Sequence, residues 1–170
     1  MKYQFKVLAI ILLLASMMSS CSTEQKDIST GFKLQIEKYV EFWNTGQFDG
    51  INDILCEDFV LRMTPQFESE KGIDTFMENI INWRKAYPDF HIRMDEIIYS
   101  NNAAAARWTI TATNTGSGSH PPTGKRIEVP GISIVHFADG KIKDEWIASN
   151  NYYWLKQLGF TLVSPSFEGE

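Results

Sequence analysis

Four side chains toward the C-terminal end are of types that can move protons in a small pocket: His136, Asp144, Trp146 and Asn150. Imidazole, carboxyl and amide groups take, give or share protons, and an indole adds an apolar wall with one hydrogen-bond donor. They lie in or just beyond two alternating segments, Arg126 to Phe137 and Ile142 to Ser149, joined through Ala138-Asp139-Gly140. The turn decides which of them meet. A two-residue type I′ loop at Asp139-Gly140 pairs His136 with Lys143 and sends Asn150 to the face opposite His136. A three-residue turn with Gly140 in the left-handed position of a bulge pairs Phe137 with Lys141 and His136 with Ile142. The second register is the expected one. It gathers Ile132, Ile134, His136, Ile142, Asp144, Trp146, Ala148 and Asn150 into one apolar wall with a few polar groups, as small-molecule pockets are built. The other face, with Ser133, Val135, Phe137, Lys143, Glu145 and Ile147, reads as more mixed.

On such a wall Asp144 is the expected catalytic base, since an apolar enclosure raises a carboxyl pKa toward neutrality. His136 and Asn150 are its expected hydrogen-bonding partners, and Trp146, Trp108, Asn114, Ile134 and Trp43 the expected ligand-binding residues. Each has a structural alternative: Asp144 at a wet mouth, His136 as a satisfied or rim histidine, Trp146 as core. Arg62 and Arg107 could hold an anionic group, although exposed or ion-paired arginines are commoner. His91 reads as a surface residue, and His120 as part of a Gly/Ser-rich loop near the cavity mouth. Three widely spaced histidines without paired cysteines give no metal-ligand pattern, and no phosphate loop or nucleophile elbow is present, so no cofactor is expected.

Elements that would position these residues follow from periodicity. Phe32, Ile36, Tyr39, Val40 and Trp43 recur at helical spacing and Asn44-Thr45-Gly46 supplies a stop, predicting a helix over 32–45. A short helix over 48–55 follows, then a strand over 59–63 ended by Pro65, then a helix marked by Ile73, Phe76, Met77, Ile80 and Ile81 that ends near Tyr87-Pro88. After Pro88 the period becomes two: Phe90 to Tyr99, Ala103 to Thr113, Arg126 to Phe137 and Ile142 to Ser149 are four strands. Tyr152 to Leu158 is either a strand continuation or a short helix ending at Gly159. Helices followed by an antiparallel sheet make an α+β fold, three helices on a curved sheet enclosing a cone.

The first residues belong to another stage of the protein's life. Lys2 and Lys6, the apolar run Val7 to Ala15 and the small residues Ser16 to Ser20 form a secretory signal, too short to span a bilayer. Met18-Ser19-Ser20-Cys21 resembles a bacterial lipobox, which makes Cys21 the expected lipidation site and the cell envelope the expected location. The expected organisation is a signal peptide over 1–20, a solvated tether over 21–31, one domain over 32–160 and a tail over 161–170. Removal of the signal leaves 14 basic against 21 acidic side chains. Such a surface disfavours nucleic acid and anionic lipid, so the membrane is met through the lipid anchor alone. Cys56 is then left without an intramolecular partner and reads as a small buried hydrophobe.

Tyr87-Pro88-Asp89-Phe90, Ala106-Arg107-Trp108-Thr109, Pro122-Thr123-Gly124-Lys125-Arg126 and Leu155-Lys156-Gln157-Leu158-Gly159 occur in an order that resembles the SnoaL-like polyketide and ester cyclases. The resemblance covers Phe32 to Gly159 and implies a cofactor-free α+β cone of the nuclear transport factor 2-like superfamily. It also implies aldol-type ring closure, in which an Asp near the sheet's end removes a proton α to a carbonyl and a neighbouring His supports the oxyanion. His136 matches that His. Asn150 stands where the Asp is expected, and Asn114 where many relatives have His; an amide can donate to an oxyanion but cannot take the proton. Two readings follow: an acid/base enzyme of cyclase, isomerase or hydratase type, or an envelope lipoprotein that binds a small apolar or aromatic molecule without turning it over. Either could form a homodimer through the Val135, Phe137 and Ile147 face.

Overall fold

The computed structural model describes residues 31–63 and 69–163. The expected leader, Cys21, Pro65 and most of the C-terminal tail lie outside the described residues, as does all of the expected tether except Gly31.

The helical spacing around Tyr39 forms α1, residues 31–45. After it come α2 (Ile51–Ile54), β1 (Leu55–Met63), β2 (Glu70–Lys71), α3 (Ile73–Ala86), β3 (His91–Tyr99), β4 (Ala103–Thr113), β5 (Arg126–Ala138), β6 (Lys141–Ser149) and α4 (Asn151–Leu158). The expected helix over 48–55 is thus a single turn, and β1 starts four residues earlier than expected. The last segment resolves as a helix, stopped by Gly159 at φ 98°, a left-handed position that suits glycine.

All six strands form one sheet in the order β2-β1-β6-β5-β4-β3. It is mixed, which corrects the antiparallel expectation: β1 runs parallel to β6. The reason is connectivity, because the chain leaves β1 and makes α3 and four further strands before β6 returns beside it. Aromatic packing joins α1 and α3 to the concave side. Tyr39 stacks on Phe76 at 5.3 Å, Trp43 meets Phe76 edge-on at 5.6 Å and lies 5.8 Å from Phe90, and Phe32 stacks on Phe137 at 3.8 Å. At the other end Trp154 of α4 packs 4.9 Å from Trp83.

The β5–β6 turn differs from the expected one. Ala138 pairs with Lys141 and Phe137 with Ile142, and both Asp139 (φ 51°) and Gly140 (φ 75°) are left-handed, so the loop has two residues. Asp tolerates that conformation nearly as Asn does, and two positive φ values match the twist of a hairpin. A bulge comes one step later. His136 pairs with Asp144, leaving Lys143 as the extra residue, with its ammonium on Asp58 of β1. Turn and bulge together put His136, Asp144, Trp146 and Ala148 on one face with Ile132 and Ile134, as expected from the other register. Ile142 moves to the opposite face, fully buried.

That shared face is the outside of the sheet, and this is the main correction to the sequence reading. Along β5 burial alternates without exception from Arg126 to Phe137: Ile127, Val129, Gly131, Ser133, Val135 and Phe137 point inward, whereas Ile132, Ile134 and His136 are exposed. Trp146 on β6 is 50 % exposed and Ile134 47 %. The helices cover the other side, which carries Phe137, Val135 and Glu145. The same observation withdraws that side as a dimer surface, since Val135 and Phe137 are core residues.

Candidate functional site

The concave side of the sheet, α1, α3 and α4 enclose a cavity of about 810 Å³. Its walls are mostly apolar and aromatic, with Trp43, Trp83, Tyr87, Phe90, Trp108 and Trp154 among the lining residues. The loop between β4 and β5 contributes Ser117, Gly118, Ser119 and His120 at the rim.

Glu145 is the polar centre of this space. Period-two geometry turns it inward between the outward Asp144 and Trp146, and it is 5 % exposed. Tyr39 of α1 donates its hydroxyl to Glu145 Oε2. Ser133 of β5 supplies a second side-chain hydrogen bond to the carboxyl group, and accepts one from Trp108 Nε1 at 2.8 Å. An indole N–H only donates, so Trp108 leaves the Ser133 hydroxyl proton for Glu145. The Trp43 indole likewise hydrogen-bonds to the Tyr39 hydroxyl. Both donors to Glu145 favour its charged form, yet burial outweighs them and holds its carboxyl above the usual carboxylate range. Tyr39 is pushed well up, first by burial and then by the nearby Glu145 charge, so it remains a donor at all ordinary pH.

Trp108 owes its placement to a glycine. Gly131 faces it across the β4–β5 ladder, and a Cβ there would lie 2.1 Å from the indole. Only a residue without a side chain lets the ring lie flat on β5 and reach Ser133.

A second carboxyl group lies in the same row. Leu61 of β1 pairs with Glu70 on one side and Glu145 on the other. Glu70 also lines the cavity, accepts a hydrogen bond from Asn79 Nδ2 of α3 at 2.8 Å, and is raised by burial.

The expected site residues divide. Trp43 and Trp108 line the cavity. Asp144, His136, Trp146 and Ile134 lie on the outer face, where His136 Nδ1 is 2.8 Å from Asp144 Oδ1 and Arg62 is 3.5 Å from the same oxygen. Asp144 therefore has an ionic partner on the solvent side and no access to the cavity. Asn150 caps α4, its Oδ1 accepting from Tyr153 N at 2.9 Å, and lies on a separate shallow outer groove with Arg107, Ile132 and Ala148. Asn114 is fully buried but does not line the cavity. Its Oδ1 accepts from the Thr123 N–H at 2.8 Å and its Nδ2 donates to Ala86 O at 3.3 Å, which ties the β4–β5 loop to α3.

Glu145, Tyr39, Ser133 and Glu70 were not singled out from the sequence. Tyr39 sat in a helical apolar stripe, where core packing explains it. Ser133 and Glu145 did share a face with Val135, Phe137 and Ile147, and two polar residues of complementary chemistry on an otherwise apolar strand face were the available signal. Arg107 is ion-paired, 3.5 Å from both Asp95 and Glu96. Cys56 is half-buried with its thiol raised by burial, so it is held away from the nucleophilic thiolate.

The sequence profile of the SnoaL-like polyketide cyclases matches residues 33–158. The chain belongs to that family. Among relatives of this SnoaL-like protein, the aklanonic acid methyl ester cyclase AcmA of Streptomyces galilaeus is 27 % identical over 129 residues, covering 73 % of this chain and 88 % of the relative. A solved structure assigned as a polyketide cyclase, from Bacillus cereus ATCC 10987, is 26 % identical with a TM-score of 0.62, covering 74 % of this chain and 78 % of the other. A SnoaL-like structure from Jannaschia sp. CCS1 superposes with a TM-score of 0.71 at 13 % identity, covering 79 % and 96 %, and speaks for the fold alone. The fold is the α+β cone of the nuclear transport factor 2-like SnoaL-like cyclases.

Proposed function

We propose that this SnoaL-like protein carries out cofactor-free acid/base chemistry on an apolar, carbonyl-bearing small molecule, with Glu145 as the proton acceptor. The observation that carries this reading is the buried Glu145 carboxyl group at the cavity wall, held by Tyr39 and Ser133 and raised by burial. A carboxylate so placed takes a proton α to a carbonyl more readily than one in water, because its conjugate acid is the favoured form there. Tyr39 keeps its proton and can turn it toward a developing enolate oxygen as Glu145 becomes neutral. Ring closure of a polyketide ester and isomerisation begin with such a step, hydration passes through the same enolate when a base-activated water adds, and the cyclase relative makes ring closure the first to assay. The test is exchange of the acidic α-protons of an aromatic β-keto ester in D2O, followed by NMR. Exchange faster than buffer that disappears in Glu145→Gln supports the reading; equal exchange in both proteins overturns it.

A non-catalytic binding role is the second reading. It is favoured by Asn150, an amide engaged as a helix cap where the family resemblance leads one to expect a carboxylate. Under it the wild-type protein retains an apolar ligand and shows no exchange.

The setting is proposed on sequence alone: export, lipidation at Cys21 and residence in the bacterial envelope. No helix among the described residues is long and apolar enough to cross a membrane. Loss of labelled fatty acid in Cys21→Ser tests the anchor. A homodimer is proposed through the outer sheet face, where a cross-strand row runs Ile98, Ala105, Ile134, Trp146, Arg62. Glu96 lies toward one edge and Arg62 toward the other, so a two-fold axis near Ile134 would bring opposite charges together.

A further inference from the structure

Among the described residues, the cavity's two carboxyl groups have no cationic partner beside them, and this bears on what fills the space. Glu70 and Glu145 flank Leu61 in one row of the sheet, so their Cα atoms are roughly 10 Å apart at two strand spacings. The groups facing them are neutral. Tyr39 of α1 and Ser133 of β5 meet Glu145, and Asn79 of α3 meets Glu70. Arg62, the nearest cation of β1 in the row beyond Leu61, points to the outer face and Asp144. Lys71 of β2 is exposed. Among the described lining residues, the groups able to carry positive charge are Lys85, exposed near the end of α3, and His120 of the rim loop.

Hydrogen-bond donors around the carboxyl groups are committed as well. The Trp43 indole is spent on Tyr39, Trp108 on Ser133, Trp154 Nε1 on the Tyr87 hydroxyl at 3.1 Å, and Asn79 on Glu70 Oε2. Beside the two carboxyl groups this wall offers a ligand acceptor oxygens and the faces of Trp43, Trp108 and Phe90, while the Tyr87 hydroxyl, which accepts from Trp154, keeps a neutral donor near α4. Carboxylates ringed by aromatic faces attract a positive nitrogen, through charge and through the ring quadrupole.

We infer that the cavity takes an organic amine: an apolar or aromatic body carrying a protonated nitrogen that seats between Glu70 and Glu145. This deepens the pocket reading above and rests on it. Anionic ligands are disfavoured, because they would place a third negative group beside two carboxyl groups with no nearby cation. Binding of the cation favours the ionised carboxylates and so releases protons from them. The preference for amines therefore fades as pH falls and the two carboxyl groups take up protons.

The experiment is calorimetric titration of the full chain with three probes of one shape: tryptamine, its alcohol analogue tryptophol, and indole-3-propionate. At pH 7.5 tryptamine is expected to bind at least about tenfold more tightly than tryptophol, and indole-3-propionate more weakly than either. Glu70→Gln should lower tryptamine affinity several-fold and leave tryptophol unchanged, which a merely structural role for Glu70 would not do. At pH 5 the wild-type preference should shrink. Equal affinity for tryptamine and tryptophol, or a preference for the carboxylate, overturns the amine inference while leaving a pocket for apolar molecules in place. Failure of all three probes to bind overturns the pocket reading and this inference together.

Discussion

Two neighbouring residues of β6, Asp144 and Glu145, hold the same functional group in opposite worlds. Asp144 faces solvent, is hydrogen-bonded to His136 Nδ1 and sits 3.5 Å from Arg62. Glu145 faces the cavity, has only neutral donors and is raised by burial. On β5 the contrast repeats between exposed His136 and inward Ser133 and Val135. Chemistry follows the face, since an ion pair at the surface is screened and satisfied, whereas a carboxyl group among indoles is poised to change its protonation.

The sharpest way to break this comparison is to neutralise both carboxyl groups in turn. Glu145→Gln should lower α-proton exchange by about 10²–10⁴-fold, and Asp144→Asn should leave it within about twofold of wild type. An equal loss in both variants would mean that the outer dyad, or the fold itself, carries the activity. Next in size is the glycine that seats Trp108. Gly131→Ala should cost about 1–3 kcal/mol in chemical denaturation, because the new Cβ enters the space of a packed indole, and it should shift the tryptophan emission.

Stability as a function of pH separates the two faces again. Glu145 has a folded pKa above its unfolded value, so the folded state binds more protons and wild-type stability falls as pH rises from the usual carboxylate range through the raised one. Glu145→Gln removes that dependence. Melting curves from pH 4 to 8 should therefore show the Gln variant gaining on wild type as pH increases, with a plateau above the raised pKa. The smallest effect belongs to the outer dyad: His136→Ala should change stability by about 0–1 kcal/mol in the same melts, as exposed pairs do. Trp146→Ser should likewise spare ligand binding while shifting sedimentation toward the monomer, if the outer face joins two copies.

Much of the architecture could be read from the chain. Helical spacing through Ile36, Tyr39 and Trp43 and the change to period two after Pro88 located α1, α3 and four strands within a few residues. The parallel β1–β6 pair was hidden, because pairing across a long connection leaves no local mark. Trp43 and Trp108, expected as ligand-binding residues, line the cavity, whereas Asn114 and Asn150 satisfy backbone at a loop and a helix end. Short polar side chains serve those roles as readily as they serve ligands. The turn was misread by one residue, and a bulge at Lys143 restored the pairing parity that the misreading had assumed.

Alternation within each strand determined, from sequence alone, that Asp144 and Trp146 oppose Glu145 and Ile147 on β6 and that Ile134 and His136 oppose Ser133 and Val135 on β5, whereas the turn and the Lys143 bulge brought His136 to the face of Asp144. Which face looks inward was decided by tertiary structure. Both carry enough apolar surface to be a core, Ile132, Ile134 and Trp146 on one and Val135, Phe137 and Ile147 on the other, so hydrophobicity could not choose. The choice fell to the aromatic faces of α1 and α3, which cover the Phe137 and Glu145 side and leave Trp146 in solvent.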